Sequence, residues 1–464
     1  MIRMARVGRL CVTGFLAVLA WWSAMPASWA QNRPHLTRLR NRLTVITKEV
    51  HSSNVVAVSV FVRGGVSAEP ADLPGLANFT HHMLLRGTTH RTAEEIMAPI
   101  EAIGGTLRAR ADHDYSMIYL LCAADALRTG LTVMSDVIRN PRFDPAEVEK
   151  QREQILSAFT RLDQDPRWVL QKEMGRLLYA SGPYSRVVPG TPESVKRITR
   201  EQLVSFHRQQ YTPENLIVVV VGNIDRAAAE ESVARAFGDM SFSMRPPAVP
   251  QPSTWRPLGD LGTNVAVRSQ ATDLAHLLIG FPMDAITREE YPAVLVLNSL
   301  LGGGMGSRLM REVRERQGLS YSPGTYLAEY CGPSYLAAYI PTEPVRLVFG
   351  LNGPYHTPEM MLNRVKDALL EQFDWVRQHP VSEAELQRAR RYTIGTFIYD
   401  HQRTVNQARY LGWFELSGLG YQYDEELPKA IEKVTKEDIL ALARKYFTHY
   451  AIALIVPESN SERR

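Results

Sequence analysis

The sequence predicts an α+β fold of two duplicated domains, each an antiparallel-rich sheet with helices packed on one face. Three observations lead there. A helix–strand pattern occurs twice, as "KRITREQLVSFHRQQYTPENLIVVVVGNID" from Lys196 and "EKVTKEDILALARKYFTHYAIALIVPES" from Glu432. Thr199 aligns with Thr435 and Tyr211 with Phe447, both 236 residues apart. A period this long signals duplicated domains, not a solenoid. The stretch "SMRPPAVPQPSTWRP", Ser243 to Pro257, holds five prolines and reads as an extended linker between the copies. Within each copy, strand-like and helix-like segments alternate irregularly, as α+β domains do.

The elements can be justified in chain order. Residues 1–30 read as a secretory signal peptide. Arg3, Arg6 and Arg9 precede the apolar run "LCVTGFLAVLAWWSAM", and small residues Ser28 and Ala30 mark a cut after Ala30. The run is too short for a membrane span, so the expected location is the periplasm. The first domain then occupies 31–242, the linker 243–257 and the second domain 258–464. "VVAVSVFVRGG" and "SMIYLLCAA" are β-branched and aromatic enough to be strands. "AEEIMAPIEAIG", "PAEVEKQREQILSAFTRL" and "EEYPAVLVLNSLLGGG" read as helices. In the second of these, Asp144 is placed to cap, Pro145 is N1 and Glu147 completes a capping-box pattern. A weaker echo links "FDPAEVEKQR" at Phe143 with "VSEAELQRAR" at Val381. Thr199 and Thr435 are each followed two residues on by a glutamate, Glu201 and Glu437, favourable in a helix first turn.

Composition is that of a soluble globular protein, 45% hydrophobic and 22% charged over 464 residues. Removing residues 1–30 takes away three arginines and no acid, so the formal charge falls from +4 to +1. That balance gives no case for a nucleic-acid partner. No second long apolar run predicts a membrane span in the mature chain. Cys11 opens the signal's apolar run, a poor position for a lipid acceptor. Cys122 and Cys331 remain, and two buried thiols are expected over a disulfide.

The stretch "LPGLANFTHHMLL" carries the chemistry. Pro74 suits a helix start. Leu76, Phe79 and Met83 predict a buried stripe, with Asn78, His81 and His82 on the opposite side. Asn78 and His82 are four apart, the spacing two metal ligands on one helix need. The segment resembles the H-x-x-E-H helix of the insulinase/pitrilysin family of zinc peptidases, which typically read G-L-A-H-F-x-E-H-M. Gly75, Leu76, Ala77, Phe79, His82 and Met83 match. The resemblance places Asn78 at the first histidine ligand and His81 at the general base. It aligns "QREQILSAFTR" with the family's E-R-x-x-V-L-x-E and puts Ala158 at the third ligand. One histidine, an amide and a methyl group do not make a catalytic zinc site. No metal is therefore expected on this chain. An unusual site joining His81 and His82 to His113 is the alternative arrangement.

The second half contains "LLGGGMGSRLMREVRERQGLSYSPGTY", which resembles the family's G-G-x-x-S-R-L-x-x-x-x-R-x-x-x-G-L-x-Y. There the family's arginine and tyrosine hold the substrate backbone across a clamshell from the zinc. By resemblance they are Arg314 and Tyr321. A guanidinium fork suits a peptide carbonyl, and a phenol can stabilise charge developing on the carbonyl under attack. "GPYSRVVPGTPESVKRIT" resembles another family stretch, with Tyr184, Arg186 and Gly190 retained.

The resemblance spans about Leu43 to Val456. A degraded metal half beside an intact Arg–Tyr pair resembles the non-catalytic subunit of bacterial two-subunit peptidases of this family. That implies one half of a clamshell, a homologous zinc-bearing partner subunit and extended peptide substrates. Two other functions stay open: a peptide-binding or scaffold protein without a role in hydrolysis, and an autonomous peptidase with a rearranged metal site.

Overall fold

The computed structural model describes residues 33–179, 181–243, 264–343 and 358–458. The expected signal segment, its cut after Ala30 and the linker beyond Ser243 lie outside the described residues. In the first half the elements run β1 (His35–Arg38), β2 (Thr44–Glu49), β3 (Val55–Arg63), α1 (Leu76–Met83), α2 (Ala93–Ala102), β4 (Thr106–Ala111) and β5 (Tyr115–Ala123). They continue with α3 (Leu127–Arg139), α4 (Pro145–Leu162), α5 (Pro166–Leu178), α6 (Pro192–Arg197), α7 (Arg200–Gln210), β6 (Leu216–Gly222) and α8 (Arg226–Phe237). The second half runs β7 (Val265–Gln270), β8 (Ala275–Ala285), α9 (Tyr291–Gly302), a π-helical segment (Met310–Arg316), β9 (Gly324–Ala328) and β10 (Pro333–Thr342). It ends with α10 (Pro358–Gln378), α11 (Glu383–Asp400), α12 (Thr404–Leu416), α13 (Tyr423–Lys433), α14 (Lys436–Tyr446) and β11 (Ala451–Pro457).

Duplication is visible in the sheets. The first has the order β1-β2-β6-β3-β5-β4 and the second β7-β11-β8-β10-β9. Apart from β1 the two orders correspond strand for strand. In each sheet one pair is parallel, β2 with β6 and β7 with β11, and the others are antiparallel. The aligned helices repeat too. Thr199 and Thr435 both cap their helices in reciprocal boxes, with Gln202 and Asp438 as the answering side chains. α4 and α11 are both 18 residues long, and α5 and α12 both 13.

One feature departs from helices on a single face. α5 of the first half packs on β8 and β11 of the second sheet, and α12 of the second half packs on β3 and β6 of the first. Each half thus lends a helix to the other's sheet. Gly412 makes this approach possible, because a Cβ there would overlap the Phe61 ring on β3. Phe61, Val219, Trp413 and Phe414 consequently share one buried cluster that crosses the halves.

Polar contacts reinforce that seam. Asp424 of α13 accepts from Lys48 Nζ of β2 at 3.0 Å and from His401 Nε2 at 2.7 Å. Burial pulls its carboxyl pKa up, but these two donors outweigh it and leave the pKa below the usual range. Tyr184 donates to Asp114 Oδ1 at 2.6 Å, and the Cys331 N–H donates to Asp114 Oδ2 at 2.8 Å. Cys122 and Cys331 are free thiols, the first buried and the second half-buried. Burial pushes the Cys122 thiol up to about 11, so neither its environment nor that of Cys331 favours a nucleophile. Among the described residues no helix is long and apolar enough to cross a membrane.

Candidate functional site

α1 starts at Leu76 because a distant acid caps it. Gly75 is the N-cap, at φ 93°, and Pro74 precedes the cap instead of standing at N1. The Glu69 carboxylate accepts the Gly75 N–H at 3.1 Å and the Ala77 N–H at 2.8 Å. Arg186 Nη1 lies 3.8 Å from the same carboxylate. Burial pushes the Glu69 carboxyl up to about 8, against the pull of these N–H groups and of Arg186. The loop that supplies Arg186 presses on the helix start: a Cβ on Gly75 would lie 2.6 Å from the Pro189 carbonyl oxygen. Thus "GPYSRVVPG", met in the sequence as a family-like stretch, holds the metal-type helix in place.

The expected polar side of α1 is not a solvent face. Asn78 and His81 are buried along with Leu76, Ala77, Phe79, Thr80 and Met83. His81 points into the domain, where its Nε2 donates to the Met117 carbonyl at 2.9 Å. Its Nδ1 then has to accept, and the Tyr211 hydroxyl donates to it at 2.9 Å. Burial lowers its pKa to about 4, so the ring is neutral at ordinary pH. The residue that the resemblance sets at the general-base position is thus a histidine with both nitrogens already engaged, tying α1 to β5 and to the end of α7. The physical reason is helix coverage: α1 is packed by α4, α7 and the first sheet, so only His82 is exposed.

Ala158 lies half-buried on α4, which packs against α1. Arg86 Nε donates to Gln151 Oε1 at 2.7 Å, and Arg86 Nη2 donates to Gln154, so neutral amides meet a cation between the two helices. Asp144 does cap α4, accepting from the Ala146 N–H at 3.0 Å, but Glu147 does not close a box; one of its buried oxygens has no partner. The donor set around α1 does not fit zinc. It offers one exposed imidazole, an amide and a methyl, and no carboxylate from α4 stands at the ligand position.

The alternative with His113 also fails geometrically. His113 Nε2 donates to the Arg186 carbonyl at 3.0 Å, and the ring packs edge-on against Tyr184 and Tyr330. Among the described residues, the one group of three closely placed potential metal donors lies elsewhere, at Glu49, His51 and Asp225. There Glu49 already accepts the Arg226 N–H at 2.7 Å.

Arg314 and Tyr321 are brought together. The guanidinium sits 4.3 Å from the Tyr321 ring centre, and Tyr321 is 80% exposed. Arg314 Nη1 also donates to the Met305 sulfur at 3.6 Å. Among the described residues no carboxylate pairs with it, so its charge is held by a ring face and a thioether and neutralised by neither. The scaffold beneath is firm. The π-helical segment ends at Arg316, and just beyond it the Gly318 N–H returns to the Arg314 carbonyl at 2.9 Å. Arg308 and Arg311 both donate to Glu385 at 2.8 Å, with Arg308 stacked on Trp375. Arg308, the arginine of the S-R-L motif, is thus a buried structural partner of Glu385. Glu69 and Met305 carry no motif, and Tyr211 figures in the sequence only as a repeat position, because which groups these side chains meet is set by folding.

Two similar α+β halves, one with a histidine-bearing helix and one presenting an Arg–Tyr pair, define a chain with the two-domain fold of M16-like peptidases. Residues 44–191 match the family model described as insulinase (peptidase family M16), and residues 197–392 match that of the peptidase M16 inactive domain. An uncharacterised zinc protease of Mycobacterium leprae is 30% identical over 427 residues, covering 92% of each chain. One from Bacillus subtilis is 24% identical, over 91% of this chain and 98% of the relative. A protease structure from Helicobacter pylori superposes with a TM-score of 0.82 at 18% identity, covering 92% of this chain and all of that one. A peptidase M16 inactive domain structure from Pseudomonas fluorescens gives 0.80 at 21%, covering 92% and 99%. The chain belongs to the insulinase family, peptidase family M16.

Proposed function

We propose that this chain is the zinc-less subunit of a heteromeric, exported zinc peptidase, and that it supplies Arg314 and Tyr321 to hold extended peptides. The observation that carries the reading is the contrast between the two halves. On α1 the family's ligand and base positions hold Asn78 and an internally bonded His81, with Ala158 on the neighbouring helix. In the second half an unneutralised Arg314 stands beside an exposed Tyr321. Hydrolysis then needs zinc from a homologous partner subunit. This chain's residues would bind and orient: the Arg314 fork takes a peptide carbonyl, and the Tyr321 hydroxyl donates to the carbonyl under attack. The name of the second family model, an inactive domain, is in keeping with a supporting role.

The test is co-purification of the tagged chain from its own cells, followed by peptidase assay and metal analysis of each subunit. A zinc-bearing homologue in the complex and activity that requires both chains are expected. A chain that is active alone and loses activity on chelation would overturn the proposal. Full activity of the partner without this chain would favour the scaffold reading.

A further inference from the structure

Met305 is the sole side chain in the run Gly302–Gly306, and it is 59% exposed. Its sulfur accepts from Arg314 Nη1, while the Tyr321 ring supports the same guanidinium. A thioether is a weak acceptor. It positions the arginine yet leaves it free to exchange that contact for a peptide carbonyl. Among the described residues Met83, Met117, Met134, Met174, Met283, Met310 and Met361 are buried. Among the described residues only Met305 and Met360 are exposed, and Met360 lies on α10, the helix that packs against the π-helical segment.

We propose that Met305 is an oxidation-sensitive latch on Arg314: as the sulfoxide it holds the guanidinium and withdraws it from peptide. This rests on the reading that Arg314 binds peptide. The oxidant is a hydroperoxide. The sulfur lone pair attacks the distal peroxide oxygen, the O–O bond breaks and an S–O bond forms. The departing oxygen takes a proton and leaves as water when the oxidant is hydrogen peroxide. Sulfur loses two electrons and the peroxide gains them. The new oxygen is a far stronger acceptor than the thioether and forms a charge-assisted bond with Arg314. A thiol-dependent sulfoxide reductase reverses the step, returning methionine and water and leaving a disulfide on the reductant.

The experiment uses the full chain treated with hydrogen peroxide, peptide mapping to locate sulfoxide, and fluorescein-labelled β-casein as an extended polypeptide probe. Binding is expected to weaken about tenfold on oxidation, the scale of one hydrogen bond to a charged group. Methionine sulfoxide reductases with dithiothreitol should restore it. Met305→Leu, compared with its own untreated sample, should lose no further binding on peroxide treatment, and Met360→Leu should remain as sensitive as the natural chain. Equal loss in Met305→Leu, unchanged binding with Met305 fully converted, or an unreacted Met305 while Met360 oxidises would each overturn the latch. Arg314→Ala separates the two ideas. Unweakened binding by that variant before oxidation sinks the underlying reading, whereas weakened binding that Met305 oxidation still lowers about tenfold further sinks the latch alone.

Discussion

The sequence resemblance gives His81 the position of a general base, yet its chemistry is that of a core residue. Its folded pKa of about 4 lies below the usual 6.5. Above pH 6.5 both folded and unfolded states are neutral, and its contribution to stability is complete. As pH falls from 6.5 to 4 the unfolded chain takes up a proton that the folded chain refuses. Stability then drops by about 1.4 kcal/mol per pH unit for such a group. His207, bonded through Nε2 to the Ile138 carbonyl and also lowered to about 4, adds a drop of the same sign. Glu69, raised to about 8, acts oppositely, losing stability as pH rises from 4.5 to 8. The slope difference between the natural chain and His81→Gln, from urea unfolding across pH 4 to 7, isolates His81, and parallel profiles would contradict its buried neutral state. His81→Leu should cost about 2–4 kcal/mol, because the Tyr211 hydroxyl and Met117 carbonyl lose their partner. At Arg314 and Tyr321 the expectation is kinetic. In the assembled enzyme Tyr321→Phe should lower kcat about tenfold or more and Arg314→Ala should lower kcat/KM, both with assembly intact. Steady-state assays with gel filtration check this.

At the scale of elements, local signals served well where they were self-contained. The helix read at "PAEVEKQREQILSAFTRL" has those bounds in the structure, since Asp144 and Pro145 mark its start from within the segment. Thr199 and Thr435 cap as the repeat suggested. Thr435→Ala should cost about 1 kcal/mol of stability, read as a lower urea midpoint, and a smaller loss in Ser or Asp variants would confirm the cap. α1 was harder to read. Its cap is Glu69, several residues upstream across a loop, and its apparent polar face is covered by α4 and α7. Periodicity distinguishes polar from apolar positions but cannot say that a second layer of helices closes over the polar ones. Gly412 shows the same limit: in sequence it is a weak spot in a helix, while in the structure it is the contact with Phe61. Gly412→Leu should destabilise by about 3 kcal/mol or more through overpacking, and a wild-type-like melting curve would show that the seam is looser than described.

Across the whole molecule, the exchange of α5 and α12 makes the two halves one folding unit. Separated at the proline-rich stretch, each would expose the sheet face its partner's helix covers, including Phe61 and Val219 in the first half. Residues 31–242 expressed alone should therefore be insoluble or molten, and co-expression with 258–464 should rescue both. A first half with a cooperative melt on its own would refute this. By itself the sequence determined the duplication, the family, and which residues, Asn78, His81, Ala158, Arg314 and Tyr321, occupy the positions the resemblance singles out. These are recorded in local composition, spacing and residue identity, which survive without coordinates. Tertiary structure alone decided that His81 is spent on Tyr211 and Met117, that Glu69 starts α1 and that each sheet borrows a helix from the other half. It also showed that Arg314 rests on Met305 and Tyr321. Each depends on which surfaces meet in space, and side-chain burial and hydrogen-bond pairing between distant residues leave no periodic trace in the chain.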